Sequence, residues 1–378
     1  KILLSDLQQS MISGGALYAT RAAAFEQVPE QTVGISGAAA HLIDAKTIVW
    51  EGAKDAAYVN LYYDADGGIG ADADNKLTFD KRFDLKKTTL TTEQLAILDA
   101  KDRKLKSWTA FSLPNGVDIK TLLKGELVAI STDSKGVLDT GTKVQTAKAL
   151  DAVYAEKAAA LEYGAIVSDS GVTFRLWAPT AQDVKVVIYN ADKTLASTHD
   201  MTFDSASGSW SYAGAADLKD SYYRYQMSVY HPLTAKMESY EVTDPYSLSL
   251  SMNSEYSQIV DLNDADLKPE GWDTLEAPHA QTTPADIAKT VVYESHVRDL
   301  TAFDTEVPAA ERGKYVALTE ENSLAVKHLK DLSKAGVTHL QILPAFDIAT
   351  INEDPAKVAN LDDKFSKLCE VNEAVKNS

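Results

Sequence analysis

A single cysteine, Cys369, rules out any disulfide within the chain, and one thiol with distant histidines makes no zinc set. Its two readings, a buried free thiol or half of a disulfide whose partner lies beyond Ser378, stand level in an exported protein. No apolar run approaches the length of a membrane span, so no spanning helix is expected. Basic residues are also short: 37 Lys and Arg against 55 Asp and Glu leave a net charge of −18, with no basic stripe. Nucleic-acid binding leans on clustered Lys and Arg, so no nucleic-acid partner is expected. Lys1 opens no signal-peptide pattern, and the expectation is that any targeting segment has been removed or left out. The acidic surface fits an exported protein, secreted or held at the cell surface.

What is present is ordinary globular sequence. The 378 residues are 45% apolar, and the length corresponds to roughly two to four domains. Residues 1–32 mix a strand-like start (Ile2, Leu3, Leu4) with Ala-rich, helix-like sequence over 11–26. They read as the tail of a preceding domain plus a connector. From Gly34 short runs of strand formers alternate with turn residues: 40–44, 47–50, 58–63, 77–83, 108–113 and 127–130, with a helical insert near 91–99. That spacing predicts a β-sandwich over 33–141. Residues 142–163 lack Gly and Pro and read as a helical connector. Strand signals at 171–180, 184–189, 208–212, 221–230 and 240–243 predict a second sandwich over 164–262. There Val172, Phe174 and Leu176 share one face, and Tyr223, Tyr225, Met227 and Val229 another. Residues 263–289, with Pro269, Gly271, Pro278 and Pro284, read as a linker anchored by Trp272.

The region 290–378 opens differently. Thr290-Val-Val-Tyr293 is a short β-branched and aromatic run that breaks into polar residues over 294–299. Ser323 or Asn322 offers a helix cap, and Ala325, His328, Leu329, Leu332 and Ala335 fall at helical spacing on one face. Gly336 sits where a left-handed C-terminal residue is wanted. Residues 337–343 make a second strand, stopped by Pro344. Strand, crossover helix and strand form a βαβ unit, whose right-handed crossover makes the strands parallel.

Here the chain resembles a family. Val292-Tyr-Glu-Ser-His-Val-Arg298 and Gly336-Val-Thr-His-Leu-Gln-Ile-Leu-Pro344 resemble the first two strands of the catalytic barrel in the α-amylase superfamily. The likeness is closest to its debranching branch, the type I pullulanases. Phe174-Arg-Leu-Trp-Ala-Pro179 and Thr243-Asp-Pro-Tyr246 resemble the glycogen-binding-like module (family 48) that precedes that barrel, and 33–141 resembles the small β module ahead of it. The fold expectation is therefore multidomain: two β-sandwich modules, then the first βαβ portion of an incomplete (β/α)8 TIM barrel. Such a barrel takes about 250 residues, so there is room for about a third of one. The remaining part of the same barrel is the expected partner of 290–378.

The resemblance implies a debranching hydrolase that cleaves α-1,6-glucosidic bonds in an α-glucan polysaccharide (pullulan, starch or glycogen) by a retaining two-carboxylate mechanism. Its Asp nucleophile, Glu acid/base and second Asp follow later strands, after Ser378, so no catalytic residue is assigned within the chain. A non-catalytic glucan-binding protein and a glucan branching transferase are the alternatives. The module at 33–141 favours debranching over branching.

Several residues stand out as candidates. Asp64, Asp66, Asp72 and Asp74 make two alternating carboxylate pairs in a Gly-rich stretch, which suits a hard cation such as calcium. The glycine placement departs from a calcium loop and no Glu closes it, so a solvated hairpin tip is the favoured reading. Trp177, Trp210, Tyr222 and Tyr230 are candidate sugar platforms, ranked behind core or interface roles. Glu294, His296, Arg298 and Asp299 lie at the strand end where barrel enzymes keep their sites. A charge network with Arg298 paired to Glu294 or Asp299 ranks ahead of a cleft wall. His339 reads as a satisfied core histidine, and Asp347 and Glu353 fall in an acidic loop.

Overall fold

The computed structural model describes residues 35–71, 77–132, 138–276, 279, 283–343, 345–346 and 352–357. They divide into two compact units, one holding both β modules as far as Asp261 and the other spanning Leu262–Val358.

The first module contains β1 (Ala40–Leu42), β2 (Thr47–Trp50), β3 (Tyr58–Asp64), β4 (Gly70–Ala71), β5 (Leu77–Thr78), β6 (Lys81–Thr88), β7 (Thr109–Ser112), β8 (Glu126–Thr132) and β9 (Leu138–Gln145). The short β4 and β5 pair with each other, and the other seven close into a barrel in the order β1-β2-β7-β6-β3-β8-β9. The seam is parallel, with Ala40 opposite Val144 and His41 opposite Gln145. The sandwich expected over 33–141 is thus corrected to a closed barrel. Alternation tells which face a side chain takes, but not whether the first and last edges meet. Closure leaves neither edge open. Residues 142–145, expected to begin the connector, belong to β9, where β-branched Thr142 and Val144 alternate with Lys143 and Gln145.

Among the described residues three α-helices complete the module. Helix α1 (Thr92–Lys101) starts on a capping box, in which Thr91 Oγ1 accepts from the Gln94 N–H and Gln94 Oε1 accepts from the Thr91 N–H. Helix α2 (Ile119–Leu122) is opened by Asp118, which accepts from the N–H groups of Lys120 and Thr121. Helix α3 (Ala147–Ala158) lays Ala149 and Tyr154 into the barrel core beside Leu42, Ile48, Leu61 and Phe111. The connector helix is therefore packed as part of the first module.

The second module contains β10 (Gly164–Ser168), β11 (Gly171–Trp177), β12 (Ala181–Tyr189), β13 (Leu195–Asp200), β14 (Thr202–Asp204), β15 (Ser209–Gly214), β16 (Tyr222–His231), β17 (Lys236–Val242) and β18 (Ser257–Gln258). They form two sheets, β10-β11-β15-β14 and β13-β12-β16-β17, with β18 added to β16. Val172, Phe174 and Leu176 of one sheet meet Val184, Val186, Ile188, Tyr223 and Tyr225 of the other in a single core. Burying each such large side chain contributes about 1.5–3 kcal/mol. Met227 and Val229 continue the row from Tyr225 but are only half-buried.

In the second unit, β19 (Val292–His296) and β20 (His339–Leu343) pair in parallel, from Val292 opposite His339 to His296 opposite Leu343. Helix α4 (Pro284–Ile287) precedes them, α5 (Val297–Thr301) follows β19, and α6 (Leu324–Lys334) is the crossover. Ser323 Oγ accepts from the Val326 N–H at 3.1 Å, and Gly336 ends the helix at φ +108°, as its spacing predicts. Strand β19 runs on through Glu294, Ser295 and His296, beyond the expected stop at Tyr293, because parallel pairing uses backbone groups whatever the side chains. On α6 only Ala325 is buried; Leu329 and Leu332 are half-buried, and His328 and Ala335 are exposed. Val291, Val292, Leu340 and Leu343 are exposed as well.

Candidate functional site

The four charged or polar candidates lie along β19 and the first turn of α5. The imidazole Nδ1 of His296 accepts from the Arg298 N–H at 3.1 Å and caps α5. Arg298 Nε donates to Asp299 Oδ1 at 3.3 Å, the pairing expected, but between exposed side chains. Glu294 is exposed on β19 opposite Gln341. His339, expected in a core, is half-buried with Nδ1 2.8 Å from Thr338 Oγ1. Glu353 is exposed, and Asp347 and Cys369 lie outside the described residues.

The acid-rich stretch after β3 is more than a solvated tip. Asp64 Oδ1 accepts from the N–H groups of Asp66 and Gly67 at 3.0 and 2.9 Å. Asp80 Oδ2 accepts from Ala65, and Glu126 Oε2 accepts from Gly68 and Ile69, each at 2.8 Å. Carboxylates from three positions thus satisfy successive backbone donors of one loop. Burial holds the Asp64 carboxyl above its usual value. The loop then meets the second module: the Met237 N–H donates to Asp66 O at 2.9 Å, and Gln182 Nε2 donates to Ala65 O at 2.8 Å. Gly67, at φ +87°, has no room for a side chain, since a Cβ there would lie 2.6 Å from Ala235 O and 2.7 Å from the Tyr230 ring. Burial and the nearby Glu126 carboxylate push the Tyr230 hydroxyl well above the usual phenol value. Asp72 and Asp74 lie outside the described residues. Among the described residues no group of three or more His, Cys, Asp or Glu is placed to hold a metal.

The aromatic candidates separate into two kinds. Trp210 is buried and its Nε1 donates to Ala178 O at 3.0 Å. Trp177 Nε1 donates to Ser207 O at 3.0 Å while its ring packs against the core of the first module. With Tyr230 at the seam, these three serve cores and interfaces. Tyr222 does not. It stands on the outer face of the β12–β16 pair with Tyr189 and Tyr256, whose ring centroids are 4.9 Å apart. The Tyr222 ring is 6.1 Å from that of Tyr256, and Lys193 Nζ lies 5.6 Å from both. The Arg224 guanidinium sits 4.2 Å over Tyr256 and donates to Glu241, which also accepts from the Tyr189 hydroxyl. Burial, then the Glu241 carboxylate, push the Tyr189 hydroxyl up to about 12. Half-exposed rings rimmed by cations and a carboxylate offer a sugar both a flat apolar face and hydrogen-bond partners. Tyr256 gave no signal in the sequence because it lies in a turn-rich segment. Tyr189 and Arg224 were legible only as outward positions of their strands.

The comparisons agree with this geometry. Residues 162–247 match the family described as carbohydrate-binding module 48 (isoamylase N-terminal domain), so the sandwich is of a carbohydrate-binding class. Residues 37–152 match the Pullulanase N2 domain and residues 348–378 the Pullulanase Ins domain. The two β modules are thus similar to the N-terminal modules of type I pullulanases. The chain is 52% identical over 375 residues to a pullulanase of Klebsiella pneumoniae, covering 99% of this chain and 34% of that protein. It is 36% identical over 259 residues to chloroplastic pullulanase 1 of Arabidopsis thaliana, covering 68% of this chain and 26% of that protein. A crystal structure of Klebsiella pneumoniae pullulanase complexed with maltotriose superposes with a TM-score of 0.83 at 53% identity, over 91% of this chain and 32% of that one. The Klebsiella oxytoca structure gives 0.83 at 52%, over 96% and 34%. The chain thus spans about a third of the length of these Klebsiella relatives.

Proposed function

We propose that this chain is the N-terminal part of a debranching hydrolase that cleaves α-1,6-glucosidic bonds in pullulan, starch or glycogen. The observation that carries the reading is the order of parts on one chain: a Pullulanase N2 module, a family 48 module, then a parallel βαβ unit. In this reading β19, α6 and β20 open a (β/α)8 barrel, and further parallel strands cover their exposed apolar flank. The retaining mechanism needs two carboxyl groups about 5 Å apart, which later strands supply. Glu294, His296, Arg298 and Asp299 then belong to the rim of that barrel at its first strand. The family 48 module presents Tyr189, Tyr222, Tyr256 and Arg224 to glucan. Calcium held by Asp64, Asp66, Asp72 and Asp74 is part of the same proposal, and calorimetric titration of calcium into metal-free protein tests it. Secretion or cell-surface display is a further part; no helix among the described residues is long and apolar enough to cross a membrane.

The test is a reducing-sugar assay of the whole protein on pullulan, with oligosaccharide release expected. Glucan binding without release would favour the non-catalytic reading. New branch points without new reducing ends would favour a branching transferase.

A further inference from the structure

The outer face of β3 in the first module floors a cleft of about 490 Å³ that none of the contacts above uses. Alternation sends Val59, Leu61 and Tyr63 into the barrel core and turns Tyr58, Asn60 and Tyr62 outward. Strand register places Asn60 beside Asp84 and Tyr62 beside Arg82 on β6, and Tyr58 beside Thr132 on β8. All six line the cleft.

Two of them are hard to explain as structure alone. Tyr58, the first residue of β3, is 60% exposed, whereas the next five residues of the strand are buried. Asn60 is mostly covered, at 7% exposed, but it lines the cleft and its amide makes no side-chain hydrogen bond among the described residues. An amide that lines the cleft and spends neither its donors nor its acceptor on the protein leaves them free for a ligand there. Beside it, Arg82 Nη2 and Asp84 Oδ1 pair at 2.8 Å on one wall.

We propose that this cleft is a second glucan site, separate from the family 48 face. One sugar ring stacks on Tyr58, and its hydroxyls reach the Asn60 amide and the Asp84 carboxylate. The inference rests on the α-glucan reading given above. A pyranose has C–H faces and a rim of hydroxyls that both donate and accept. An exposed phenol ring, an amide, a carboxylate and a guanidinium within one cleft meet each of those needs. The volume falls in the roughly 300–1,000 Å³ of small-ligand sites.

The test titrates maltotriose into the whole protein by calorimetry and soaks maltotriose into its crystals. Tyr58→Ala removes a ring that lies outside the core; Asn60→Leu removes the amide at nearly constant volume. Each variant should bind one maltotriose fewer per chain, or bind it about tenfold more weakly at one site. Asn60→Leu should also keep or raise the melting temperature, which an amide with a structural role would not allow. Arg224→Ala, on the family 48 face, should leave the Tyr58-dependent site intact. An unchanged site count and affinity in both cleft variants overturns the proposal, as does soaked density with no Tyr58-dependent heat. If the whole protein releases no sugar from pullulan but keeps the Tyr58-dependent site, the debranching reading falls and the cleft stands. If it hydrolyses pullulan and lacks that site, the cleft alone falls.

Discussion

The hydroxyl of Tyr223 donates to Oδ2 of Asp244 across 2.7 Å, between two side chains buried in the family 48 module. The Tyr225 hydroxyl reaches the same oxygen at 3.2 Å, and Oδ1 accepts from the Tyr246 N–H at 2.8 Å. A buried carboxylate is tolerated only when hydrogen-bonded, and three donors meet this one. Tyr223→Phe withdraws a donor and should cost about 1–3 kcal/mol. The denaturation midpoint measures it, and an unchanged midpoint would show that the remaining donors suffice.

The same carboxyl gives a pH dependence. Burial raises Asp244 above its ordinary value in the folded chain, so the native state binds a proton there where the unfolded chain is already ionised. The stability this group adds is fully present below the unfolded value, near 3.9, and is lost as pH rises through the folded value. Asp244→Asn removes the dependence. Its stability relative to the native sequence should therefore improve as pH rises above about 4, until the folded-state carboxyl has ionised. A flat difference across chemical denaturation over that range would refute the assignment.

Gly67→Ala tests the seam between the modules. The left-handed backbone and the contact with Ala235 O leave no room for a methyl group, so a loss of about 1–3 kcal/mol is expected. Thermal melting reads the loss, and a melting temperature equal to that of the parent would mean the seam yields freely.

Arg224→Ala should weaken binding to soluble starch by about tenfold or less, since it removes one cation over an aromatic ring and one hydrogen-bonded rim group. Affinity electrophoresis in starch gels measures this. Equal migration of variant and parent would remove the Tyr189–Tyr222–Tyr256 face from the glucan-binding surface.

A protease prediction concerns the second unit. Phe303 and Phe346 are 96% and 77% exposed, and the two-stranded sheet carries exposed Val292 and Leu340. Two strands with an uncovered apolar flank are marginal on their own. Limited proteolysis of the 378-residue chain by itself should remove the segment after about residue 286 and spare both β modules. Equal resistance of all three would mean that the βαβ unit needs no further strands.

The sequence was most informative where side chains alternate or cap. The inward row Val172, Phe174 and Leu176, the Ser323 cap and the Gly336 stop all follow from local rules. The parallel pairing of β19 with β20 followed from the crossover rule. Closure of the first barrel did not, because it depends on Ala40 meeting Val144, and no local pattern encodes a partner so far along the chain. The seam was hidden for a similar reason. Asp64, Asp66 and Gly67 read as a turn, but what they serve depends on Tyr230, Ala235 and Met237 in another module. Tyr222 stood out by residue type, whereas Tyr256 and Arg224 became part of a site only once three segments were brought together.

The parallel seam between β1 and β9 has a consequence for biosynthesis. A nascent chain emerges with β1 first, and β2 can pair with one of its edges at once. The other edge must wait for Val144 and Gln145, about a hundred residues later, and such distant pairing is slow. Until then the ribosome holds an open sheet, and the core still lacks Tyr154 from α3. A message broken, or a ribosome stalled, anywhere before that helix would release an unclosed sheet with a free edge rather than a smaller folded module. The first module is thus made whole or not at all, and protein quality control has one long window in which to judge it.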